Sequence, residues 1–261
     1  MFFSAPKAAD LPRLSPADEA RPYSEFYYRG ACTPAAETLK LLEQPMDPAL
    51  ALPADQVGRM LDPGYLERET GWCILPDGTG YSAVLTKMPN VTEEANNWWG
   101  PWHEQDDLRY KCWFPGSHQK VGPRWCQEDV GCGLEDVFFM QRLTPEAVGF
   151  DPARYAASPD LVIVRGQCGY SVPASCTPED RPMAITVMHM IRRLPEGGVE
   201  YRTRFWSGVW FINGRPVRML PEGARVSEER AYGMAYHGAC EMATLASILP
   251  ELYARFGPGG K

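Results

Sequence analysis

The sequence predicts an α+β fold in which a curved antiparallel sheet surrounds a long C-terminal helix. Strand-like segments recur between residues 81 and 212 and are separated by turn residues. A helical pattern then runs from about residue 227 to 256 and ends at Gly257 and Pro258, residue types that terminate helices. Strands followed by one long helix are typical of α+β proteins, and 261 residues suit one large domain with an extension.

The first quarter of the chain differs in composition from the rest. Residues 1–75 are rich in proline and alanine and predict a helical extension, with one helix starting after Thr33 and another at Pro53. Residues 76–261 form the predicted main domain. Its predicted strands are 81–87, 109–114, 134–143, 161–169, 184–194 and 199–212.

Turn and capping signals divide this main domain further. The tetrapeptide at 90–93 resembles a capping box and predicts a helix that ends near Gly100 and Pro101. Residues 195–198 and 212–215 predict tight turns between strands. Pro250 is expected to kink or divide the last helix, because proline lacks the backbone N–H that a helix interior uses.

Composition excludes several classes of protein. A formal net charge of −7 argues against a nucleic-acid-binding surface, which needs clustered lysine and arginine. The sequence has neither a signal-peptide pattern at its start nor an apolar run of about 18 residues for a membrane helix. The eight cysteines form no C-x-x-C pair. They are predicted to be reduced, mostly buried thiols of a cytoplasmic protein.

The four histidines are the most informative residues. His237 and Glu241 lie four positions apart in the predicted C-terminal helix, and that spacing places both on one face, one turn apart. A buried carboxylate needs a partner or a metal ion, so the pair predicts half of a metal site or, alone, a contact at the helix surface.

Each remaining candidate has a structural and a functional interpretation. His103 follows a tryptophan-rich run and is either packed among indoles or a ligand, and Glu135 at a strand end is either solvated or a ligand. His189 lies in an apolar strand, where a hydrogen-bonded core histidine is the usual case. His118 lies in a turn and can be exposed.

The joint pattern of these residues resembles the family of diacetylphloroglucinol and phloretin hydrolases. The resemblance rests on motifs in order between residues 80 and 255: Met-Pro-Asn-Val-Thr at 88–92, Trp-Trp at 98–99, Trp-His at 102–103, Arg-Tyr-Lys-Cys-Trp-Phe-Pro at 109–115, His118, Glu-Asp at 135–136, His189, His237-x-x-x-Glu241 and Leu-Pro-Glu-Leu-Tyr at 249–253. It implies a helix-grip fold of the Bet v 1 type, a homodimer, and hydrolysis of the bond between an aryl carbon and an acyl carbon.

The resemblance also implies a zinc ion bound by two histidines and two glutamates. Carried onto this chain, the ligands are His103, Glu135, His237 and Glu241. His103 is preferred to His118 because of the tryptophans before it and its distance along the chain from Glu135.

The remaining polar candidates would act on the substrate. His189 is predicted to transfer a proton or stabilise the acyl oxygen, if it faces the same cavity. Tyr110, His118 and Tyr201 are predicted to hydrogen-bond ring hydroxyls of a small aromatic ketone, with tryptophan and methionine lining the pocket.

Two alternatives remain open. A non-enzymatic helix-grip protein that carries a hydrophobic aromatic ligand would need no metal, so its histidines and glutamates would have no reason to converge. A hydrolase of esters or β-diketones would share the zinc chemistry, and only a panel of substrates separates it from the first interpretation.

Overall fold

A computed structural model describes residues 5–119, 136–172 and 183–260. The strands in these ranges are β1 (Gly71–Ile74), β2 (Gly80–Met88), β3 (Asp136–Leu143), β4 (Leu161–Val172), β5 (Met183–Arg193), β6 (Val199–Ser207), β7 (Val209–Ile212) and β8 (Arg215–Arg218). Six of them form one antiparallel sheet in the order β1-β2-β6-β5-β4-β3, and β7 pairs with β8 in a separate ribbon.

The helices lie at both ends of the chain and between β2 and β4. The α-helices are α1 (Pro16–Glu19), α2 (Ser24–Tyr27), α3 (Ala36–Leu42), α4 (Glu93–His103), α5 (Asp107–Trp113), α6 (Pro152–Ala156) and α7 (Glu228–Phe256). Short 3₁₀ helices lie at Ala8–Asp10, Pro48–Leu50, Ala54–Leu61 and Glu146–Val148. An antiparallel sheet with one long C-terminal helix confirms the predicted α+β class, and the arrangement is compatible with a helix-grip fold.

The long helix α7 packs against the sheet, chiefly against β2. It begins after Ser227, whose side chain accepts a hydrogen bond from the Arg230 backbone N–H, as an N-cap residue does. Gly238 permits close packing, since a Cβ there would lie 2.8 Å from the Phe205 ring. The helix continues through Pro250 and is not divided there, so of the two predicted effects only a kink stays a prediction.

The opposite face of the sheet is covered by residues 46–69 of the N-terminal part. Leu52, Val57 and Met60 are buried there in one cluster with Trp206, whose indole N–H donates to the Leu52 carbonyl at 2.9 Å. The division into domains at residue 75 stays a prediction. Strand β1, at Gly71–Ile74, lies before that boundary and pairs with β2.

Strand β6 contributes to both layers because successive side chains point to opposite faces. Tyr201 and Phe205 face α7, each packed in a cluster with residues of that helix. Arg202, Arg204 and Trp206 contact residues 52–69 on the other side. One strand thus connects the interior beneath α7 with the packing of the N-terminal segment.

Two local predictions are wrong. Residues 109–114 do not form a strand: α5 occupies this stretch, because the Asp106 side chain accepts from the backbone N–H groups of Leu108 and Arg109 and caps a helix. Helix α4 does not end near Gly100 and Pro101 but continues to His103.

The predicted turns and several strands are confirmed. The chain reverses between β5 and β6 at Gly197 and Gly198, and between β7 and β8 at Asn213 and Gly214, all with positive φ. The described cysteines are free thiols. No helix in the described ranges is both long enough and apolar enough to cross a membrane.

Candidate metal centre

Helix α7 places His237 and Glu241 together in the interior. Both side chains are buried, with 4% and 3% of their surface exposed, and Nε2 of His237 lies 3.6 Å from Oε2 of Glu241. The four-residue spacing therefore produces the predicted neighbouring pair on one face of the helix.

The third member of this group is His118, from the turn that follows α5. The backbone N–H of His118 donates to the Phe114 carbonyl at 3.0 Å, and Gly116 provides the positive φ of the turn. Nε2 of His118 lies 3.5 Å from Oε2 of Glu241, and the three potential ligand atoms of His118, His237 and Glu241 all lie within 4.8 Å of one another.

Hydrogen bonds behind the two histidines orient their rings. Nδ1 of His118 lies 3.2 Å from the Tyr110 carbonyl, so it is the protonated nitrogen that donates. Nδ1 of His237 lies 3.3 Å from Ser117 Oγ. Such outer contacts usually fix the tautomer of a metal-binding histidine and leave the other nitrogen to bind the ion.

The charges of the group favour a cation. Burial raises the pKa of Glu241, but contacts with His118 and His237 outweigh burial and hold this pKa at about 2, so the carboxyl is ionised. Burial lowers the pKa of His118 and favours the neutral ring. In the tautomer in which His118 donates from Nδ1, its Nε2 lone pair is available to a metal ion, as is the ionised carboxylate of Glu241. The donor set therefore fits a metal ion.

The structure places His118, and not His103, beside His237 and Glu241. His103 is the last residue of α4, and its Nδ1 lies 2.9 Å from the Trp99 carbonyl one turn earlier. Its ring stacks on Trp99 with centroids 4.8 Å apart, and burial lowers its pKa to about 3. Glu135, the other predicted ligand, lies outside the described residues, directly before β3.

His189 lies near this group, on β5. Its Nδ1 is 2.9 Å from Thr203 Oγ1, and its ring centroid is 6.0 Å from that of Trp113 and 6.5 Å from that of Phe205. Burial, more than any charge, lowers the pKa of His189 to about 4, so the imidazole is neutral near pH 7. Trp113 also donates its indole N–H to the Glu241 carbonyl at 3.0 Å, which joins α5 to α7.

The two predicted substrate-binding tyrosines have different surroundings. Tyr110 stacks on His118 with ring centroids 4.0 Å apart and an angle of 3° between planes, so it supports that ring. Tyr201 lies on the sheet, with its ring centroid 6.2 Å from that of His189, and its hydroxyl donates to Asn96 Oδ1 on α4.

One polar residue of this interior was missed in the sequence. Arg165 lies on β4 directly opposite His189 of β5. The signal that could have identified it is a charged residue directly after the apolar run at 161–164, because a cation in such a strand needs an anionic partner or ligand.

A buried set of two imidazoles and one carboxylate, enclosed by a sheet, a long helix and aromatic rings, is typical of a metal-dependent enzyme that acts on small molecules. Comparison with known families gives a more specific assignment. The model of the DAPG hydrolase PhiG domain matches residues 52–254, and the chain belongs to this family. The resemblance seen in the sequence is confirmed, and the chain is a hydrolase of the type that cleaves carbon–carbon bonds in ketones.

Individual relatives are similar over nearly the whole chain. A 2,4-diacetylphloroglucinol hydrolase of Pseudomonas sp is 27% identical, over 98% of this chain and 95% of its own length. The protein of the same name in Pseudomonas protegens is also 27% identical, over 98% of this chain and 91% of its own length. A phloretin hydrolase of Eubacterium ramulus is 29% identical, over 89% of each chain.

Proposed function

We propose that this protein hydrolyses the bond between the ring carbon and the acyl carbon of acylphloroglucinols such as phloretin or 2,4-diacetylphloroglucinol. The observation that carries the proposal is the buried convergence of His118, His237 and Glu241 in a chain of this family. The products are a carboxylic acid and a phloroglucinol.

We propose that the group holds zinc, with His118, His237 and Glu241 as ligands and Glu135 as the fourth. In this assignment His118 takes the place predicted for His103, whose ring instead packs against Trp99. When bound, zinc supplies Lewis-acid polarisation of a carbonyl and lowers the pKa of a coordinated water.

The reaction needs a nucleophilic water, a stabilised oxyanion and a proton for the ring carbon. The water oxygen bonds to the acyl carbon, and the bond between acyl and ring carbon breaks with its electron pair moving to the ring. The ring hydroxyls make this possible, since the departing carbon becomes part of an enolate. A proton at that carbon then completes the phloroglucinol.

His189 is the proposed proton carrier. In the tautomer in which Nδ1–H donates to Thr203, Nε2 is unprotonated and can accept a proton from the attacking water. The same nitrogen can return the proton to the ring carbon. The lowered pKa of His189 keeps the imidazole neutral at neutral pH, so that Nε2 has a lone pair that can accept a proton.

The convergence of the three potential ligands argues against the non-enzymatic binding protein, which gives no reason for them to meet. Hydrolysis of esters or β-diketones at the same site is the remaining alternative. Metal analysis of the purified protein, together with assays for free phloroglucinol from phloretin and from 2,4-diacetylphloroglucinol, tests the proposal. Lack of bound zinc with no turnover of either compound would refute it.

Replacing His189 by alanine should leave the metal content unchanged and reduce kcat by about 10²–10⁴-fold, the contribution of a general acid or base. Thr203→Ala should have a smaller effect on kcat, because it removes only the hydrogen bond that orients the His189 ring. Metal content by mass spectrometry and initial rates measure both effects. Loss of zinc from the His189→Ala variant would contradict the division of roles.

We further propose the helix-grip fold of the Bet v 1 type for this chain, for which the antiparallel sheet and α7 are the support. The homodimer and the cytoplasmic location stay predictions.

A further inference from the structure

A row of polar side chains crosses the sheet beside the candidate metal centre. Arg165 of β4 pairs directly with His189 of β5, and His189 pairs with Thr203 of β6. Residues opposite one another in adjacent strands share a face of the sheet. The guanidinium of Arg165 is therefore on the face that carries His189, which is the face toward α7.

Helix α4 positions this guanidinium from the other side. Nη2 of Arg165 donates to the Asn96 carbonyl at 3.0 Å, and the Asn96 side chain accepts from the Tyr201 hydroxyl. Gly100 provides the space, because a Cβ at that position would lie 2.6 Å from Nη2 of Arg165. The arginine is thus held between the helix and the sheet at a defined position.

The charge of Arg165 has no protein counter-ion in the parts of the chain that the structure describes. No carboxylate there lies within 4.0 Å of its nitrogens, and Nη2 donates to a neutral carbonyl. Burial raises the pKa of the Tyr201 hydroxyl, and the charge of Arg165 acts in the opposite direction, so the two groups lie close together. A partly buried guanidinium held at a defined position is a suitable receptor for an anionic oxygen.

We propose that Arg165 binds a ring oxygen of the substrate and stabilises the negative charge that the ring acquires when the acyl group leaves. The inference rests on the proposed function. When the bond breaks, its electron pair delocalises from the ring carbon onto the neighbouring ring oxygen, and Arg165 is the donor proposed to receive that oxygen. His189, which pairs with Arg165 across the two strands, is the neighbouring group proposed to protonate the ring carbon.

The test uses phloroglucinol, the ring product, as a probe that is not turned over. Arg165→Met should weaken its binding, measured by calorimetry, by about 10- to 100-fold, the factor expected for a lost hydrogen bond to a charged group. Arg165→Lys should recover part of the loss, because it keeps the charge without the planar fork. The absorption band of bound phenolate should be present with the wild type and absent with Arg165→Met.

Gly100→Ala provides a second variant that keeps the arginine. Its methyl group displaces the guanidinium, while alanine is a better helix former than glycine, so weaker phloroglucinol binding should come without loss of thermal stability. Arg154→Met is the matched control. It removes an exposed guanidinium paired with Asp62 and should leave binding and turnover unchanged.

The outcomes separate this inference from the proposed function. Unchanged phloroglucinol binding in Arg165→Met, or no binding to the wild type, would overturn the role of Arg165 even if the wild type hydrolyses phloretin. Conversely, a wild type that binds phloroglucinol through Arg165 but releases none from phloretin or 2,4-diacetylphloroglucinol would support the ring-oxygen site and refute the proposed reaction.

Discussion

Replacing His118 by alanine is expected to abolish metal binding and hydrolysis, whereas replacing His103 by alanine should leave the metal in place. The reason is geometric: Nε2 of His118 lies 3.5 Å from the Glu241 carboxylate, while His103 is stacked on Trp99 and bonded to its carbonyl. Metal content of the purified variants, measured by mass spectrometry, and the release of phloroglucinol check both halves of the prediction.

Two further variants provide comparisons for the metal loss expected in His118→Ala. His237→Ala should behave as His118→Ala does, because it removes another member of the same group. Ser117→Ala removes the outer contact to Nδ1 of His237 and should weaken metal affinity by about 10- to 100-fold without abolishing it. A His118→Ala variant with full metal content, or a His103→Ala variant without metal, would reverse the assignment of ligands.

Replacing Glu69 by glutamine is expected to lower the free energy of unfolding by about 3–5 kcal/mol, the cost of breaking a buried ion pair. Glu69 accepts from Arg202 at 2.6 Å and also from Arg204, and both arginines are almost fully buried against the sheet. Without the carboxylate their charges have no counter-ion in that cluster. Urea denaturation at neutral pH measures the loss.

The pH dependence of this effect has a defined sign. Burial raises the pKa of Glu69, but the charges and hydrogen bonds of Arg204 and Arg202 outweigh burial and lower this pKa from 4.5 to about 2. Ionised Glu69 therefore stabilises the fold above about pH 4.5, and this contribution is lost as the pH falls through about 2. The difference between wild type and Glu69→Gln should shrink over that interval.

A surface ion pair is the control for Glu69. Asp62→Asn breaks the contact with Arg154, in which both side chains are about half exposed, and should cost only about 0–1 kcal/mol. Equal losses in Glu69→Gln and Asp62→Asn would contradict the importance of burial.

Periodicity and turn chemistry were sufficient to predict most of the scaffold. The strands around β5 and β6 and the helix α7 follow from strand-like and helical patterns, from two glycine-containing turns and from the stop at Gly257 and Pro258. Residues 109–114 could not be assigned in this way, because their aromatic composition resembles that of a strand. The Asp106 cap and the burial of Tyr110 and Trp113 against other helices decide in favour of α5.

The candidate site was predictable only where its members are close in sequence. His237 and Glu241 share one helix, so their spacing was enough to predict that they lie together. The position of His118 depends on the predicted turn at Gly116 and on α5, and α5 was not predicted because its residues were assigned to a strand. Arg165 reaches the same interior through strand pairing, which separation along the chain does not reveal.

The alternation of side chains along β6 limits which insertions and deletions near this strand the protein can tolerate. Its odd-numbered residues, including Tyr201 and Thr203, belong to the site, and its even-numbered arginines belong to the scaffold. Insertion or deletion of one residue at the turn after β5 would exchange these sets, placing two guanidiniums under α7 and the partner of His189 outside. The turn packs closely against β2 at Gly198, because a Cβ at that position would lie only 2.5 Å from the Met88 carbonyl oxygen. Relatives are therefore expected to vary the length of this hairpin in steps of two residues or to leave it unchanged.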